Sequence, residues 1–231
     1  MPQLTTSLRV DPNNAPAGTL GTVIDAERDL ALSSRPAQGR MELMFRLRQR
    51  NRLRVDYEEI DRSSSRLLGR DIVFGNQIFL AGQRTNTELD WRIFTLTYTY
   101  SLVRRDRLEI GTGLAAHFVE ATAHGDVPTL AERQDVSGAG AFPTVPLDLA
   151  FRISRRFAFT ARGQYFRAHL GRFDGSLTQL RADLQYRWTP NFTIGAGWAA
   201  TRVNLDLRTG SFPGAFAFNE RGLQSFFRVS L

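Results

Sequence analysis

Residues 91–120 read WRIFTLTYTYSLVRRDRLEIGTGLAAHFVE and alternate between large apolar and small or polar side chains. The alternation stops once, at the polar residues 104–106, and then resumes. A period of two on both sides of a short turn predicts a β-hairpin. The apolar face of its first arm consists of Phe94, Leu96, Tyr98, Tyr100 and Leu102, and that of its second arm of Leu108, Ile110, Leu114, Ala116 and Phe118.

Each arm of this hairpin is long enough to cross a lipid bilayer. A tilted transmembrane strand needs about 9–11 residues. One face of each arm is apolar, whereas the other carries mainly Thr, Ser, Gly and Ala. Strands of transmembrane β-barrels alternate in this way because one face meets lipid and the other meets the lumen. The hairpin therefore predicts two strands of such a barrel.

Further segments alternate with the same period, so that ten strands are predicted in all. They span residues 4–10, 40–48, 53–57, 147–153, 157–165, 180–188, 192–201 and 222–231. The segment at 147–153 follows Pro146, which has no backbone N–H, and we expect this strand to start late or at a bulge. An even number of strands returns both termini to the same side of the barrel.

The connections between these strands alternate between short and long. Long connections are predicted at residues 11–38, 60–90, 121–143 and 208–219, with a shorter one at 171–175. We expect a short extension or helical turn at 22–32 and a small hairpin at 71–87. Short periplasmic turns and long extracellular loops are typical of antiparallel outer-membrane barrels. The sequence thus predicts one all-β domain over residues 1–231, a transmembrane antiparallel up-and-down β-barrel.

The composition excludes several classes of protein. No apolar run approaches the ~18 residues of a membrane-spanning helix, and there is no cysteine for a disulfide or a thiolate metal site. The chain has no lysine, so its net charge of +7 comes from arginine. These arginines are spread over strands and turns, which argues against a nucleic-acid partner. The first ten residues lack the apolar core of a signal peptide, so an exported protein is expected here in mature form.

Alternation alone does not say which face is outside, because a soluble ligand-binding barrel has the same period with the faces reversed. Aromatic residues beside the short turns favour a barrel whose apolar face is outside and meets lipid, because transmembrane barrels carry aromatic girdles at the membrane interface. These lipid-interface aromatics are Tyr100, Phe151, Phe157, Tyr186, Trp188 and Phe192. On the polar face, Gly111, Gly113, Gly195 and Gly197 leave room for long arginines from neighbouring strands.

The chain ends within a predicted strand, in the pattern Phe227-x-Val229-x-Leu231. This ending resembles the C-terminal assembly signal of bacterial outer-membrane barrels, in which a terminal Phe is commoner than Leu. The segment LRQRNRLRVDYEEI at 47–60 is also similar to uncharacterised members of the small outer-membrane β-barrel superfamily. The resemblance implies the outer membrane of a Gram-negative bacterium, contact with outer-membrane lipid, and the outer-membrane assembly machinery as a partner. It implies no particular activity.

Charged residues on the polar faces predict what fills the lumen. A ten-stranded barrel is only modestly wider than an eight-stranded one, whose interior is filled by side chains. Arginine suits such an interior because it stays charged and makes bidentate contacts with carboxylates. The predicted lumen charge network comprises Glu42, Arg46, Arg48, Arg54, Asp56, Glu58, Glu109, His117, Asp148, Arg152, Arg162, Arg181, Asp183, Arg187 and Arg228. It predicts either a salt-bridged plug or a water-filled, porin-like pore.

The favoured function is an integral outer-membrane barrel, either a narrow passive pore or a structural, surface-exposed barrel that binds a partner at its extracellular loops. Two alternatives stay open: an outer-membrane lipid-modifying enzyme or protease, and a soluble ligand-binding barrel. An enzyme would need a nucleophile near His117, His124 or His169, and no recognisable spacing ties these histidines to one. With no phosphate-binding loop or metal-ligand cluster in the sequence, we predict no enzyme, cofactor or metal.

Overall fold

The structure is a computed structural model that describes residues 3–12, 19–36, 38–128, 132–170, 173–207 and 213–229; at 132, 133, 170, 173, 207 and 229 it describes the backbone alone. The described residues contain no helix that is long and apolar enough to cross a membrane. The strands are β1 (Gln3–Val10), β2 (Ile24–Asp25), β3 (Gln38–Arg46), β4 (Asn51–Leu67), β5 (Ile72–Phe74), β6 (Gln77–Phe79), β7 (Arg84–Arg104), β8 (Leu108–Val127), β9 (Glu132–Arg152), β10 (Phe157–Leu170), β11 (Phe173–Arg187), β12 (Phe192–Leu207) and β13 (Gly214–Val229).

A single antiparallel sheet holds all of these strands except β5 and β6, in the order β2-β1-β13-β12-β11-β10-β9-β8-β7-β4-β3. Each of the ten predicted strands is present in it, which confirms the all-β, antiparallel, up-and-down fold class. β5 and β6 form the small hairpin expected within residues 71–87. Directly after β2, the Asp29 N–H donates to the Asp25 carbonyl at 2.7 Å, which makes the helical turn expected within residues 22–32.

The strands are longer than predicted, and most of the predicted loops are strand extensions. β4 and β7 pair as far as Leu67 and Arg84, where residues 60–90 are predicted to be a connection. β8 and β9 likewise pair as far as Val127 and Glu132, and β10 and β11 pair as far as Leu170 and Phe173. These extensions lack the lipid-facing apolar side chains of the remaining wall, so the sequence pattern that predicts the other strands is missing from them.

β9 runs through Pro146 without a break, so the prediction that this strand starts late or at a bulge is wrong. Pairing with β8 pauses only beside the proline, between the pairs Thr112 with Leu147 and Ala115 with Thr144. The Thr112 hydroxyl donates to the Pro146 carbonyl at 2.8 Å. This side-chain hydrogen bond satisfies the Pro146 carbonyl at the place where the backbone pairing of β8 with β9 is interrupted.

The sheet curls round a lumen, and its two edges meet through side chains. β1 covers only the half of β13 from Gly214 to Arg221, and β3 pairs only with β4. Arg228 on β13 nevertheless lies 3.9 Å from Glu42 on β3. No backbone ladder joins β3 to β13 in the described part of the chain. The wall therefore differs from a fully hydrogen-bonded barrel, because β1 begins halfway up the wall.

Candidate functional site

The polarity of the lumen changes along each strand. We call the end with the short turns (residues 47–50, 105–107, 153–156 and 188–191) the lower end and the opposite end the upper end. On β7, the inward side chains of the lower half are polar: Thr95, Thr97, Thr99 and Ser101. Above them the inward side chains are Ile93, Trp91 and Leu89, all buried. The inner face thus changes from polar to apolar between Thr95 and Ile93.

The outer face of the same strand changes in the opposite sense. Its lower half exposes Phe94, Leu96, Tyr98, Tyr100 and Leu102, whereas its upper half presents Arg92, Asp90 and Glu88. On the neighbouring strands the outward residue changes to a charged one at the same level, as at Glu59 on β4 and Glu120 on β8, which pair on either side of Arg92. The lower half therefore has the polarity of a membrane protein and the upper half that of a soluble one.

The height of the apolar belt matches a membrane. From Phe94 to Leu102, β7 has nine residues, which is about 30 Å of strand at ~3.3 Å per residue. At a tilt of ~40°, this length covers about 23 Å, close to the ~25 Å of the apolar band in outer-membrane barrels. An antiparallel wall with such a belt is of the outer-membrane type, and the soluble-barrel alternative does not account for the exposed lower half.

The lower lumen is crossed by what we call the ionic layer, which consists of Arg40, Glu42, Arg52, Arg54, Asp56, Asp148 and Arg162. At its centre Arg54 contacts Glu42 at 3.2 Å and Asp148 at 3.3 Å. Arg162 contacts the same two carboxylates, at 3.3 and 3.4 Å. These four residues come from β4, β10, β3 and β9, so the two arginines and two acids form a square that joins opposite sides of the wall.

Further pairs extend the ionic layer upward and downward. Arg40 contacts Asp56 at 2.8 Å, and Arg181 contacts Glu58 at 3.6 Å. Nearer the lower end, Arg46 makes a bidentate contact with Glu109, with both N···O distances 3.1 Å. Bidentate pairs of this kind hold both partners in one orientation. The lower lumen is therefore filled with paired charges over several levels.

The structure brings together most of the predicted lumen network, but not all of it. Arg48, Arg152 and Arg187 are exposed at the lower end, outside the ionic layer. Asp183 accepts a hydrogen bond from Gln224 rather than a salt bridge, at 2.7 Å. His117 belongs to a separate neutral cluster. The remaining predicted residues are placed in or next to the ionic layer: Glu42, Arg46, Arg54, Asp56, Glu58, Glu109, Asp148, Arg162, Arg181 and Arg228.

Sequence reasoning missed two arginines of the ionic layer. Arg52 contacts Asp148 at 3.4 Å, and Arg40 has the shortest ion pair in the layer. Both share strand parity with predicted members, because Arg40 lies two residues before Glu42 and Arg52 two residues before Arg54. Arg40 already lies within the predicted strand 40–48 and could have been found by parity alone, whereas Arg52 required the predicted strand 53–57 to extend toward its turn.

The sequence predicts that four inward glycines leave room for arginines, and the structure places an arginine beside Gly111 but not beside the other three. A Cβ on Gly111 would lie 2.7 Å from Nη2 of Arg52. At Gly195 the added atom would collide with the Phe226 ring, and at Gly197 with the Ala182 carbonyl and the Asp183 side chain. At Gly113 the obstacle is the Tyr98 carbonyl, so this glycine serves close strand packing instead. Arginine is thus one of several groups that use the space.

Above the ionic layer lies an apolar layer, defined by buried side chains from eight wall strands: Leu4, Ile60, Trp91, Ile93, Val119, Phe142, Leu177, Val203 and Phe218. The Trp91 ring stacks on Phe216 and Phe218, with centroid distances of 4.9 and 5.2 Å. Aromatic stacking adds to the burial of apolar area. The apolar layer therefore closes the upper lumen as a protein core does.

A cap of further apolar residues covers this layer. It combines the β5–β6 hairpin with residues 24–32, and its buried members include Ile24, Leu30, Phe74 and Phe79. A cavity of about 40 Å³ lies beneath it. A dry cavity that binds benzene has ~150 Å³, so this space is a packing void rather than a ligand site.

His117 sits where the polar and apolar halves meet. Its Nδ1 is 3.0 Å from the Thr95 hydroxyl, and its Nε2 is 3.0 Å from the Thr144 hydroxyl and 2.6 Å from Oε1 of Gln164. The imidazole is buried, and none of these contacts is a carboxylate. The arrangement satisfies a buried ring by hydrogen bonds, and it gives His117 no acidic partner to orient it as a base.

The other two histidines lie on the outer wall of the upper half. His124 contacts Asp126 at 3.2 Å and also contacts Asp135, and His169 contacts Asp174 at 2.9 Å. His124 is in β8 rather than in the connection predicted at 121–143, and His169 is in β10, which extends beyond the strand predicted at 157–165. Among the described residues there is no group of three or more His, Asp or Glu side chains arranged to hold a metal ion.

The predicted interface aromatics form a belt at the lower end. Five of them expose at least 40% of their side chains, namely Tyr100, Phe151, Phe157, Trp188 and Phe192, and Tyr186 is half-buried. The rings of Phe157 and Tyr186 on paired strands lie 5.0 Å apart. In the predicted assembly signal, Phe227 faces outward and is 82% exposed. The Val229 side chain and Leu231 lie outside the described residues.

Comparisons with known proteins complete the description. No family model and no curated protein sequence matches the chain. A solved TodX deltaS2S3 mutant, a monoaromatic hydrocarbon channel, is 8% identical at a TM-score of 0.33, over 99% of this chain and 89% of the other. The Pseudomonas putida toluene transporter TodX is 9% identical at a TM-score of 0.28, over 98% and 87%. At this level of similarity, conclusions about the present chain rest on its own geometry.

Proposed function

We propose that this chain is an integral β-barrel of the bacterial outer membrane, folded as one domain, whose lumen is occluded at rest. The apolar belt and the aromatics below it support the membrane location. The observation that carries the occlusion is the square of Arg54, Arg162, Glu42 and Asp148, because it crosses the lumen with buried, paired charges. In this state the protein acts as a structural, surface-exposed barrel without enzymatic activity.

The upper half gives such a barrel a surface outside the membrane. Strands β4, β7 and β8 rise above the belt with polar outer faces, and the cap closes their inner face. This polar upper wall is the surface on which an extracellular partner would bind. The exposed Phe227 and the last strand are the elements that the outer-membrane assembly machinery would recognise.

A second candidate is a narrow passive pore with a preference for anions. The observation that favours it is a set of buried guanidinium N–H groups in the lower lumen that make no hydrogen bond within the described residues, among them Nη1 of Arg54 and Nε of Arg181. Such donors are free to bind water or an anion that enters the layer. This function requires the ionic layer to open.

The membrane location is tested by refolding with and without detergent. We expect a β-rich, heat-modifiable species in detergent alone, seen as a mobility difference between heated and unheated samples on gels and by far-UV circular dichroism. A compact β-rich monomer in plain buffer would instead support the soluble barrel.

The state of the lumen is tested by planar-bilayer recording of folded protein. We expect no steady unitary conductance from the wild type, because the ionic layer and the apolar layer both close the lumen. Asp148→Asn is expected to produce brief openings, because it removes one corner of the square. Steady, anion-selective conductance of the wild type would replace the occluded barrel with the narrow pore.

A further inference from the structure

The lower end of the barrel carries a concentration of arginine that the ionic layer does not use. We define the basic rim as six exposed arginines on or beside the four short turns: Arg48, Arg50, Arg105, Arg107, Arg155 and Arg187. Asp106 is the one acidic residue within these turns. The rim is therefore strongly positive, whereas the upper outer wall mixes both signs, as in the pair of Arg92 with Glu59 at 2.9 Å.

The guanidinium groups of the basic rim have no partner in the described part of the chain. None of their guanidinium groups makes a salt bridge or a hydrogen bond with another described residue. Nearby arginines at the same end are already engaged: Arg46 pairs with Glu109, and Arg104 donates to the Gln49 carbonyl. The rim thus presents several exposed charges at the lower end that the described residues leave unneutralised.

The depth of the basic rim matches that of lipid headgroups. Arg187 lies between the belt residues Tyr186 and Trp188 in the chain, and Arg155 lies two residues before Phe157. A residue along a strand spans ~3.3 Å, so the backbones of Arg187 and Arg155 lie within a few ångströms of the aromatic belt along the chain. Aromatic belts lie at the level of the headgroups. The rim is therefore placed where phosphate groups of the adjacent leaflet are found.

We propose that the basic rim binds the anionic phospholipid headgroups of the leaflet at the lower end and so selects the lipids around the barrel. The inference rests on the proposed membrane location. Guanidinium groups suit phosphate because they donate two parallel hydrogen bonds to it. Basic residues next to a membrane are attracted to anionic lipid, and salt weakens the attraction. Turns that hold six exposed arginines against one acidic residue, Asp106, meet both requirements.

The test uses Trp188 as a local reporter. In a Trp198→Phe background, the remaining tryptophans are Trp188, which is exposed beside the rim, and Trp91, which is buried inside the wall. The protein is folded into vesicles of phosphatidylcholine that contain either brominated phosphatidylglycerol or brominated phosphatidylcholine. Quenching of Trp188 then reports which lipid contacts the lower end. We expect phosphatidylglycerol to be preferred by about threefold at low salt and by less at high salt.

Two variants with the same change in net charge locate the effect. The rim variant changes Arg48, Arg105, Arg155 and Arg187 to Gln. Its preference for phosphatidylglycerol is expected to disappear, so that both lipids quench Trp188 about equally. The matched control changes four exposed arginines of the upper wall to Gln, namely Arg84, Arg167, Arg202 and Arg221. This control should keep the wild-type preference, because these positions lie a membrane thickness away from Trp188.

The outcomes separate this inference from the proposed membrane location. Equal quenching by both lipids in folded wild type would overturn the inference, as would a preference that the rim variant retains. Loss of the preference in inorganic phosphate, but not in chloride of equal ionic strength, would show that the rim recognises the phosphate group itself and would support the inference. Absence of a heat-modifiable species in every vesicle would contradict the membrane location itself.

Discussion

In the lower half of the wall the strands place charge inside and apolar side chains outside, whereas in the upper half the same strands do the reverse. Both halves keep the period of two, and both bury one face. In the lower half lipid covers the apolar face, so polar groups must be satisfied within the lumen. In the upper half water covers the polar face, so the apolar groups form an ordinary core. Alternation thus identifies a strand, while the surrounding solvent determines which face is buried.

The two halves also differ in how they respond to substitution. A filled ionic lumen depends on pairing, because removal of one buried partner leaves the others charged and unsatisfied. A filled apolar lumen depends on volume, because a missing side chain leaves a cavity. These mechanisms predict different sizes of effect for substitutions at matched positions.

The largest loss of stability is expected for Asp148→Asn. Asp148 is 4% exposed and contacts Arg52, Arg54 and Arg162 at 3.3–3.4 Å. Removing its charge should lower the free energy of unfolding by about 3–5 kcal/mol, as measured by urea titration in vesicles. Asp106→Asn, in an exposed turn, is the control and should change it by less than about 0.5 kcal/mol. Similar small effects at both positions would show that the square is not a stabilising unit.

A somewhat smaller loss is expected for Leu177→Ala in the apolar layer. Leu177 is 3% exposed, whereas Leu180 on the same strand faces outward and is 49% exposed. The inner substitution should cost about 2–5 kcal/mol through lost burial and a cavity. Leu180→Ala should cost about 1 kcal/mol or less, because lipid can fill the space. An equal cost at both positions would contradict the assignment of the upper lumen as a core.

The packing of the ionic layer is probed by Gly111→Ala. The added methyl would lie 2.7 Å from Nη2 of Arg52 and 2.8 Å from Cγ2 of Thr99. Overpacking of this kind should reduce the free energy of unfolding by about 1–3 kcal/mol. Gly138→Ala, in the upper part of β9, is the control, because its Cβ would meet nothing within 4 Å. A neutral Gly111→Ala would indicate a lumen with free space around Arg52.

The smallest effect concerns the cap and depends on pH. Burial acts to raise the pKa of Asp29, but hydrogen bonds from the Asp25 amide and from Arg28 and Arg70 outweigh it and lower the pKa to about 2. Because the pKa of Asp29 is lower in the folded state, its ionised carboxylate stabilises the cap at pH values above the unfolded-state pKa of ~3.9. This stabilisation is lost as the pH falls toward 2.

The measurement is peptic cleavage within residues 19–36 between pH 4 and pH 2. In the wild type, cleavage should accelerate as Asp29 is protonated and its contact with Arg70 at 2.6 Å is weakened. Asp29→Asn should be cleaved readily already at pH 4 and should show a smaller pH dependence. Identical pH profiles for the two proteins would assign the change to other carboxylates.

Much of the fold is predictable from local sequence pattern. The apolar alternation of Phe94 to Leu102 predicts a strand and its lipid-facing side, and the aromatics beside the turns predict the level of the membrane interface. The upper strand extensions are missed because their outer face is polar and their inner face belongs to a core. Residues such as Trp91 and Ile93 are then assigned by parity to a polar face, although they form the apolar layer.

The ten main wall strands, their antiparallel order and the lipid-facing residues followed from the sequence, because they depend on a period of two and on neighbours joined by short turns. The pairing of charges in the lumen required the tertiary structure. Arg162 and Glu42 are 120 positions apart in the chain and meet only because the sheet curls round. The level at which the lumen turns apolar is visible along β7, but only the register of β4 and β8 against β7 shows that the change is shared by neighbouring strands.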